Sequence, residues 1–434
     1  MLGLTERPET TASPTDIAAR AFQGLDRFLL TDDPRPVAVA VSGGGDSVAL
    51  LAIACAWGAS RGRPILALSV DHGLQPGSRD WSRGALETAE RLGARSRLLT
   101  WDGDKPARGR PAAARRARHA LIAEAAREAG ARVALFAHTA DDVAEGDRMR
   151  AQGSTLGRLR AWAPSPVWPE GRELFLLRPL LDVRREALRA YLRARGLAWV
   201  EDPANADPAF ARARARAALQ AEAFRPSRER TTPAVALCGL TDVGGGLALD
   251  RPALADPRIL AAALLSAAGG ERPPRRERLA RLGARLAAGE DFVATLAGAI
   301  LEAEGGRVRV ARDAGEMSRG GLAPLTLSPG SVSVWDGRFE ILVGEPGFTV
   351  VPVKGRLAAL EPADRKAVLG LPRIVRPSLP AVVRDGEARP VLAARAGRVR
   401  SLAGPRLAAA CGLIAHEGNI GPGVNGAGTP GALC

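Results

Sequence analysis

Ser42-Gly43-Gly44-Gly45-Asp46-Ser47 packs three glycines, two hydroxyls and a carboxylate into six consecutive positions. Glycines let the backbone turn sharply and come close to an anion. Where a helix follows, its first N–H groups have no carbonyl partner and point at that anion. Ser42 and Ser47 add hydroxyl donors. Asp46 repels a phosphate, so a bridging Mg²⁺ is its natural companion. No Gly-Lys-Ser/Thr follows the glycines, which excludes a Walker loop, and the GxGxxG fingerprint is absent. A Gly-rich turn alone also has a purely structural reading, as a strand-to-helix junction.

A second group lies at Asp142 and Glu145, after Ala137-His138-Thr139-Ala140-Asp141. On a helix start the two acids are i and i+3 and share a face. They could hold a cationic substrate or a metal. The same residues also read as an acidic first turn behind an N-cap. Between the two groups, Arg108, Arg110, Arg115, Arg116 and Arg118 carry positive charge with no acid among residues 105–118. Arg115 and Arg118 are one helical turn apart and suit contact with phosphates, against the alternative of a solvated basic face.

The elements that must position these groups are legible in the periodicity. Short aliphatic runs at 37–41, 65–70, 96–101 and 133–137 alternate with helical spacing at 47–58, 79–93 and 111–130. A further run at 175–177 precedes a helix at 183–195, closed by Gly196. This alternation predicts an α/β fold, a parallel sheet wrapped by helices on both faces. In such a sheet ligands bind at the carboxyl edge of the strands, where residues 42–47 would lie. The pattern predicts a catalytic domain over 1–216, a mostly helical domain over 217–320 and a small mixed domain over 321–416. A Gly/Pro-rich tail over 417–434 is expected to be flexible.

Composition narrows the function classes. The chain has 434 residues, 46% of them apolar, enough for real cores. It contains no apolar run of 18 residues, so no membrane span is expected. Residues 1–21 include Glu6, Glu9 and Asp16 and do not read as a secretory signal. Cys55, Cys238, Cys411 and Cys434 form no CxxC pair; reduced thiols and a cytoplasmic location are the expectation. The net charge of +14, nearly all arginine, favours a polyanionic partner such as nucleic acid.

The string SGGGDS after a buried strand resembles the pyrophosphate loop (PP-loop) of the N-type ATP pyrophosphatases. Further strings narrow the likeness: Asp71-His72-Gly73-Leu74, Arg115 to Arg118, His138 to Glu145, Arg178-Pro179-Leu180-Leu181, and Trp199-Val200-Glu201-Asp202 through Asn205 and Asp207 to Arg212. Together these resemble the tRNA(Ile)-lysidine synthase family over roughly residues 35–345. The resemblance implies ATP as cosubstrate, with Mg²⁺ near Asp46, and cleavage of ATP to AMP and pyrophosphate. It implies L-lysine and a tRNA(Ile) with a CAU anticodon as the other substrates. The wobble cytidine would be adenylated and then joined to lysine at C2, giving lysidine. By the same resemblance Asp142 and Glu145 would hold lysine, while Arg115, Arg118 and Arg212 would face phosphates or the activated base. The basic C-terminal regions would grip the tRNA.

The chain departs from the family pattern at Pro111, His119, Gly146, the stretch from Gln152 to Thr155, and Ala213. These positions flank the expected substrate pocket rather than the ATP loop. Besides a small-molecule amidotransferase or synthetase, which would not need a net charge of +14, two alternatives stay open. A tRNA thiolase on the same loop would need paired cysteines, whereas Cys55 lies in the first helix after the loop and Cys238 beyond the domain. A non-catalytic RNA-binding relative is the other.

Overall fold

The computed structural model describes residues 14–75, 77–103, 105–154, 157–201, 211–220, 237–317 and 321–421. The chain divides into two compact units, one of residues 1–231 with 415–420, the other of 232–414 with 421–434. Among the described residues no helix is long and apolar enough to cross a membrane.

The first unit runs α1 (Pro14–Phe28), β1 (Val37–Ala40), α2 (Gly45–Arg61), β2 (Ile65–Asp71), α3 (Ser78–Arg91) and β3 (Arg95–Thr100). It continues with α4 (Arg110–Glu128), β4 (Val133–Leu135), α5 (Ala140–Ala151), β5 (Trp162–Pro164), β6 (Phe175–Leu177), α6 (Arg185–Arg193) and α7 (Ala211–Gln220). The sheet order is β3-β2-β1-β4-β6-β5. All neighbours pair in parallel except β5 with β6. The expected parallel sheet is therefore present, and the strand order reverses direction between β1 and β4. That switch point opens a crevice at the carboxyl edge of β1.

β1 and β4 are almost wholly buried, as strands covered on both faces should be. Two elements escaped the sequence reading. Helix α1 buries Ile17, Ala21 and Leu25. Edge strand β5 has a side-chain pattern without alternation, and its Trp162 stacks between Phe28 and Phe175 at centroid distances of 5.3 and 4.9 Å.

The second unit departs from the mostly helical expectation for 217–320. It places β7 (Thr241–Asp242), β8 (Leu247–Asp250), β9 (Phe292–Leu296), β10 (Ala299–Glu304) and β11 (Arg307–Arg312) in one antiparallel sheet of order β7-β8-β11-β10-β9. Among the described residues of that unit, α8 (Pro257–Ala268) and α9 (Arg276–Ala287) are the α-helices that match the helical reading. The reason is local. β10, and β11 over 307–310, alternate buried and partly exposed residues and are joined by Gly305-Gly306, a two-residue hairpin connection. The richness in Ala, Leu and Arg masked the strands up to residue 304, whereas 307–310 reads from the sequence as a short strand, as found in β11. Beyond it, β12 (Leu325–Leu327), β13 (Val332–Trp335), β14 (Phe339–Val343), β15 (Phe348–Pro352), β16 (Pro380–Arg384), β17 (Val391–Leu392) and β18 (Gly397–Ser401) form two small antiparallel sheets. Three short helices, α10 (Pro362–Leu369), α11 (Ala393–Ala396) and α12 (Ala403–Ala410), accompany them.

The tail boundary is also corrected. Residue 417 does not begin a flexible segment: Glu417 is fully buried in the first unit and pairs with Arg63. Arg132 holds the same segment through the Ile420 carbonyl at 2.6 Å. Residues 422–434 lie outside the described residues.

Candidate active site

The glycine loop sits where its spacing predicts, between the end of β1 and the start of α2. Gly43 has φ +83°, a region that disfavours any side chain, and its buried backbone lies against the Trp81 carbonyl. Gly44 is the extended N-cap of α2. Ser47 closes the loop internally. Its Oγ accepts from the Ser42 amide at 3.2 Å and donates to the Gly44 carbonyl at 2.8 Å. Ser42 Oγ lies 3.3 Å from Ser47 Oγ. Ser47 is therefore a scaffold for the turn. The N–H groups of Gly45 and Asp46 open the helix, before any intrahelical partner is available.

A distant segment braces the loop. Gly44 and Val200 form a parallel bridge, and the Val200 amide donates to the Gly43 carbonyl at 2.9 Å. The Trp199 indole lies over Gly45, so a Cβ there would meet it at 3.3 Å. Trp199 Nε1 donates to Glu201, which Arg189 also holds at 2.8 Å.

Asp46, Asp142 and Glu145 come together, as the sequence implies. What joins them is a residue that spacing did not reveal. Arg185, the first residue of α6, donates from Nε to Asp46 Oδ2 at 3.0 Å, from Nη2 to Asp142 Oδ1 at 3.3 Å and from Nη1 to Glu145 Oε1 at 3.3 Å. Arg216 on α7 donates to the same Glu145 oxygen at 2.8 Å. Three buried or half-buried carboxylates hold Arg185 charged, well above the ordinary arginine range, against the burial that opposes it. Burial pushes the Asp46 carboxyl up, only partly offset by Arg185.

The acidic-first-turn reading of Asp142 holds in the structure. Thr139 caps α5, and Asp142 Oδ2 accepts from the Thr139 amide at 2.7 Å and hydroxyl at 3.0 Å, a reciprocal capping box. Asp142 thus gives one oxygen to its helix and the other to Arg185. Glu145 is 1% exposed and spends its charge on ion pairs.

A metal site can be tested on the donor atoms. Asp46 Oδ1 is buried and has no hydrogen-bond partner among the described residues. An orphaned carboxylate oxygen beside a glycine turn at a helix start suits a divalent cation. Among the described residues no three His, Cys, Asp or Glu side chains converge on a metal position. The remaining mode is one carboxylate sharing the ion with phosphate oxygens, the usual habit of Mg²⁺.

The basic group splits in two. Arg118 faces the end of β2 and donates to His72 Nε2 from Nε and Nη2 at 3.2 and 3.0 Å. Burial and then the Arg118 charge push His72 down to about 4, so it is neutral and accepts. Arg115 is solvent-exposed on α4, one turn away, and its field reaches buried His119 and Arg178. Arg178 donates to His138 Nδ1 at 3.3 Å and to the Arg160 carbonyl at 2.8 Å. Arg212 lies on α7, but its side chain is outside the described residues, as are residues 202–210. Gly146 is buried on α5, and Pro111 is the second residue of α4.

A family model described as a PP-loop domain matches residues 17–223. A tRNA(Ile)-lysidine synthase of Caulobacter vibrioides is 50% identical over 91% of this chain and 97% of its own length. A tRNA(Ile)-lysidine synthase of Hyphomonas neptunium is 37% identical, over 78% of this chain and 98% of its own length.

Proposed function

Because the chain belongs to the tRNA(Ile)-lysidine synthase family, we propose that it joins L-lysine to the wobble cytidine of a tRNA(Ile) bearing a CAU anticodon, at the expense of ATP. The cytidine O2 attacks the α-phosphorus of ATP, forming the O–P bond as pyrophosphate leaves. The lysine ε-amine, as the free base, then attacks C2. The C2–O bond breaks, AMP leaves, and the amine proton passes to solvent. The product is lysidine, and the reaction is assigned to the cytoplasm.

The chain's own groups divide this work. The backbone of residues 43–46 and the hydroxyl of Ser42 bind phosphate oxygens, while Ser47 keeps the turn in shape. Asp46 would hold Mg²⁺ through Oδ1. When bound, the ion would offset the charge of the departing pyrophosphate. Asp142 and Glu145 orient the amine substrate by charge-assisted hydrogen bonds. Arg115, Arg118 and Arg212 attract the RNA phosphates and the activated base. The arginine excess supplies the longer-range attraction for tRNA.

The observation that carries this reading is the placing of Asp46, with its orphaned Oδ1, beside the Asp142–Glu145 pair at the carboxyl edge of the sheet. It supports an anion half-site and a cation half-site that share a border. The test incubates the protein with ATP, Mg²⁺, lysine and a tRNA(Ile) transcript, followed by mass analysis of its nucleosides. The expected result is a lysine adduct at the wobble cytidine that requires all components. AMP release without any lysine-dependent nucleoside would overturn the reading.

A further inference from the structure

Three helix starts meet at one guanidinium. Asp46 lies in the first turn of α2, Asp142 in the first turn of α5 with Glu145 one turn further on, and Arg185 is the first residue of α6. The partly positive helix N-termini favour the acids in the first turns, Asp46 and Asp142. Arg185 is pinned from its own backbone: its amide donates to Asp141 Oδ2 at 2.8 Å, and Arg184 Nε reaches Asp141 at 3.2 Å. The Ala140 amide in turn donates to the Val183 carbonyl at 3.0 Å. The starts of α5 and α6 are thus bolted together, and the Arg185 side chain reaches from that joint to α2.

Each nitrogen of the guanidinium serves a different carboxylate. A planar fork with several N–H donors can do this, whereas a lysine ammonium offers only one nitrogen. By taking Asp46 Oδ2, Arg185 fixes the carboxylate and leaves Oδ1 as the oxygen without a partner. The same group touches both acids assigned to the amine substrate. A shift of Asp142 or Glu145 toward an incoming ammonium therefore moves the donor that orients Asp46.

We propose that Arg185 is a positioning residue that couples the phosphate-loop carboxylate Asp46 to the Asp142–Glu145 pair, so that nucleotide and lysine each change the other's affinity. This rests on the assignment of the acid pair to lysine. Coupling of this kind is reciprocal, since the cycle of two binding steps must close.

The experiment measures ATP binding by calorimetry, with Mg²⁺, in the presence and absence of saturating lysine, and lysine binding with and without ATP. The wild-type chain is compared with Arg185→Lys and Arg185→Gln, with melting temperatures recorded in parallel. In the wild type each ligand should change the other's affinity by the same factor, about five-fold or more. Arg185→Gln should abolish that factor while both ligands still bind, and Arg185→Lys should retain part of it. A residue that only held the fold would lower the melting temperature and leave the factor intact. An undiminished factor in Arg185→Gln overturns the proposal; if that variant does not fold, an undiminished factor in Arg185→Lys does so. Lysine that binds the wild type without affecting ATP overturns the proposal alone. Lysine that does not bind the wild type at all overturns the lysine-pocket reading and the coupling with it.

Discussion

Arg63 and Glu417, 354 positions apart, form an ion pair whose side chains are both excluded from solvent. Arg63 donates from Nη1 and Nη2 to the two carboxylate oxygens at 3.0 and 3.1 Å. The Leu30 amide donates to Glu417 at 2.9 Å, and Arg63 also donates to the Leu30 carbonyl. The pair ties the segment 415–420 to the unit that carries the glycine loop. Removing one partner would leave a buried charge uncompensated, at a cost of about 3–5 kcal/mol. Glu417→Ala should therefore lower the stability of the first unit by that order in denaturant titration. A loss below about 1 kcal/mol, the range of exposed pairs, would show that the segment is not anchored by this contact.

Asp46→Ala should abolish pyrophosphate release while leaving the protein folded. The substitution removes the carboxylate with the orphaned Oδ1 and leaves the Ser42–Ser47 contacts that shape the loop. Pyrophosphate production at near-normal rates by the purified variant would contradict the metal role.

Glu145→Gln preserves side-chain volume and removes the charge. A charge-assisted hydrogen bond contributes about 1.5–3 kcal/mol, so the lysine concentration for half-maximal modification should rise roughly ten- to a hundred-fold. Arg216 and Arg185 would then face a neutral amide, and the melting temperature should drop as well. ATP affinity without lysine should stay close to wild type, because Asp46 keeps its own bond to Arg185. An unchanged lysine requirement would return Glu145 to a purely structural role.

His119 gives the first unit a pH dependence of known sign. Burial, then the charges of Arg115, Arg118 and Arg178, push its pKa from 6.5 to about 3. Between those values the unfolded chain binds a proton that the folded chain refuses. The stability is thus complete above pH 6.5 and declines as pH falls toward 3, by up to about 1.4 kcal/mol per pH unit. His119→Phe removes the proton site and can keep the stack on Phe136, now 5.0 Å between centroids. Between pH 6.5 and 4.5 the wild type should lose about 2 kcal/mol more than the variant. Parallel stability curves across that range would show that His119 does not resist protonation in the folded state.

How much could be read from the chain depends on the range over which each feature is encoded. The glycine loop, the parallel strands and helices α2 to α4 are local, because one turn or one period of side chains suffices to specify them. Asp142 and Glu145 were visible for the same reason, since i and i+3 on a helix share a face. Strand β11 was legible at 307–310 for the same reason, whereas an Ala/Leu/Arg-rich composition concealed β10, its hairpin partner across Gly305-Gly306. The family resemblance rests on the same short strings.

Tertiary structure alone decided what lies next to what. Arg185 is one arginine among many in the sequence, and nothing in its spacing marks it out. It matters because β1, β4 and β6 run parallel and bring the starts of α2, α5 and α6 to one edge, 139 positions apart for Arg185 and Asp46. Val200 under the glycine loop and Glu417 against Arg63 arise in the same way. A buried charge is viable only beside its partner, and that partner is selected by the path of the chain through space, which periodicity along the chain does not record.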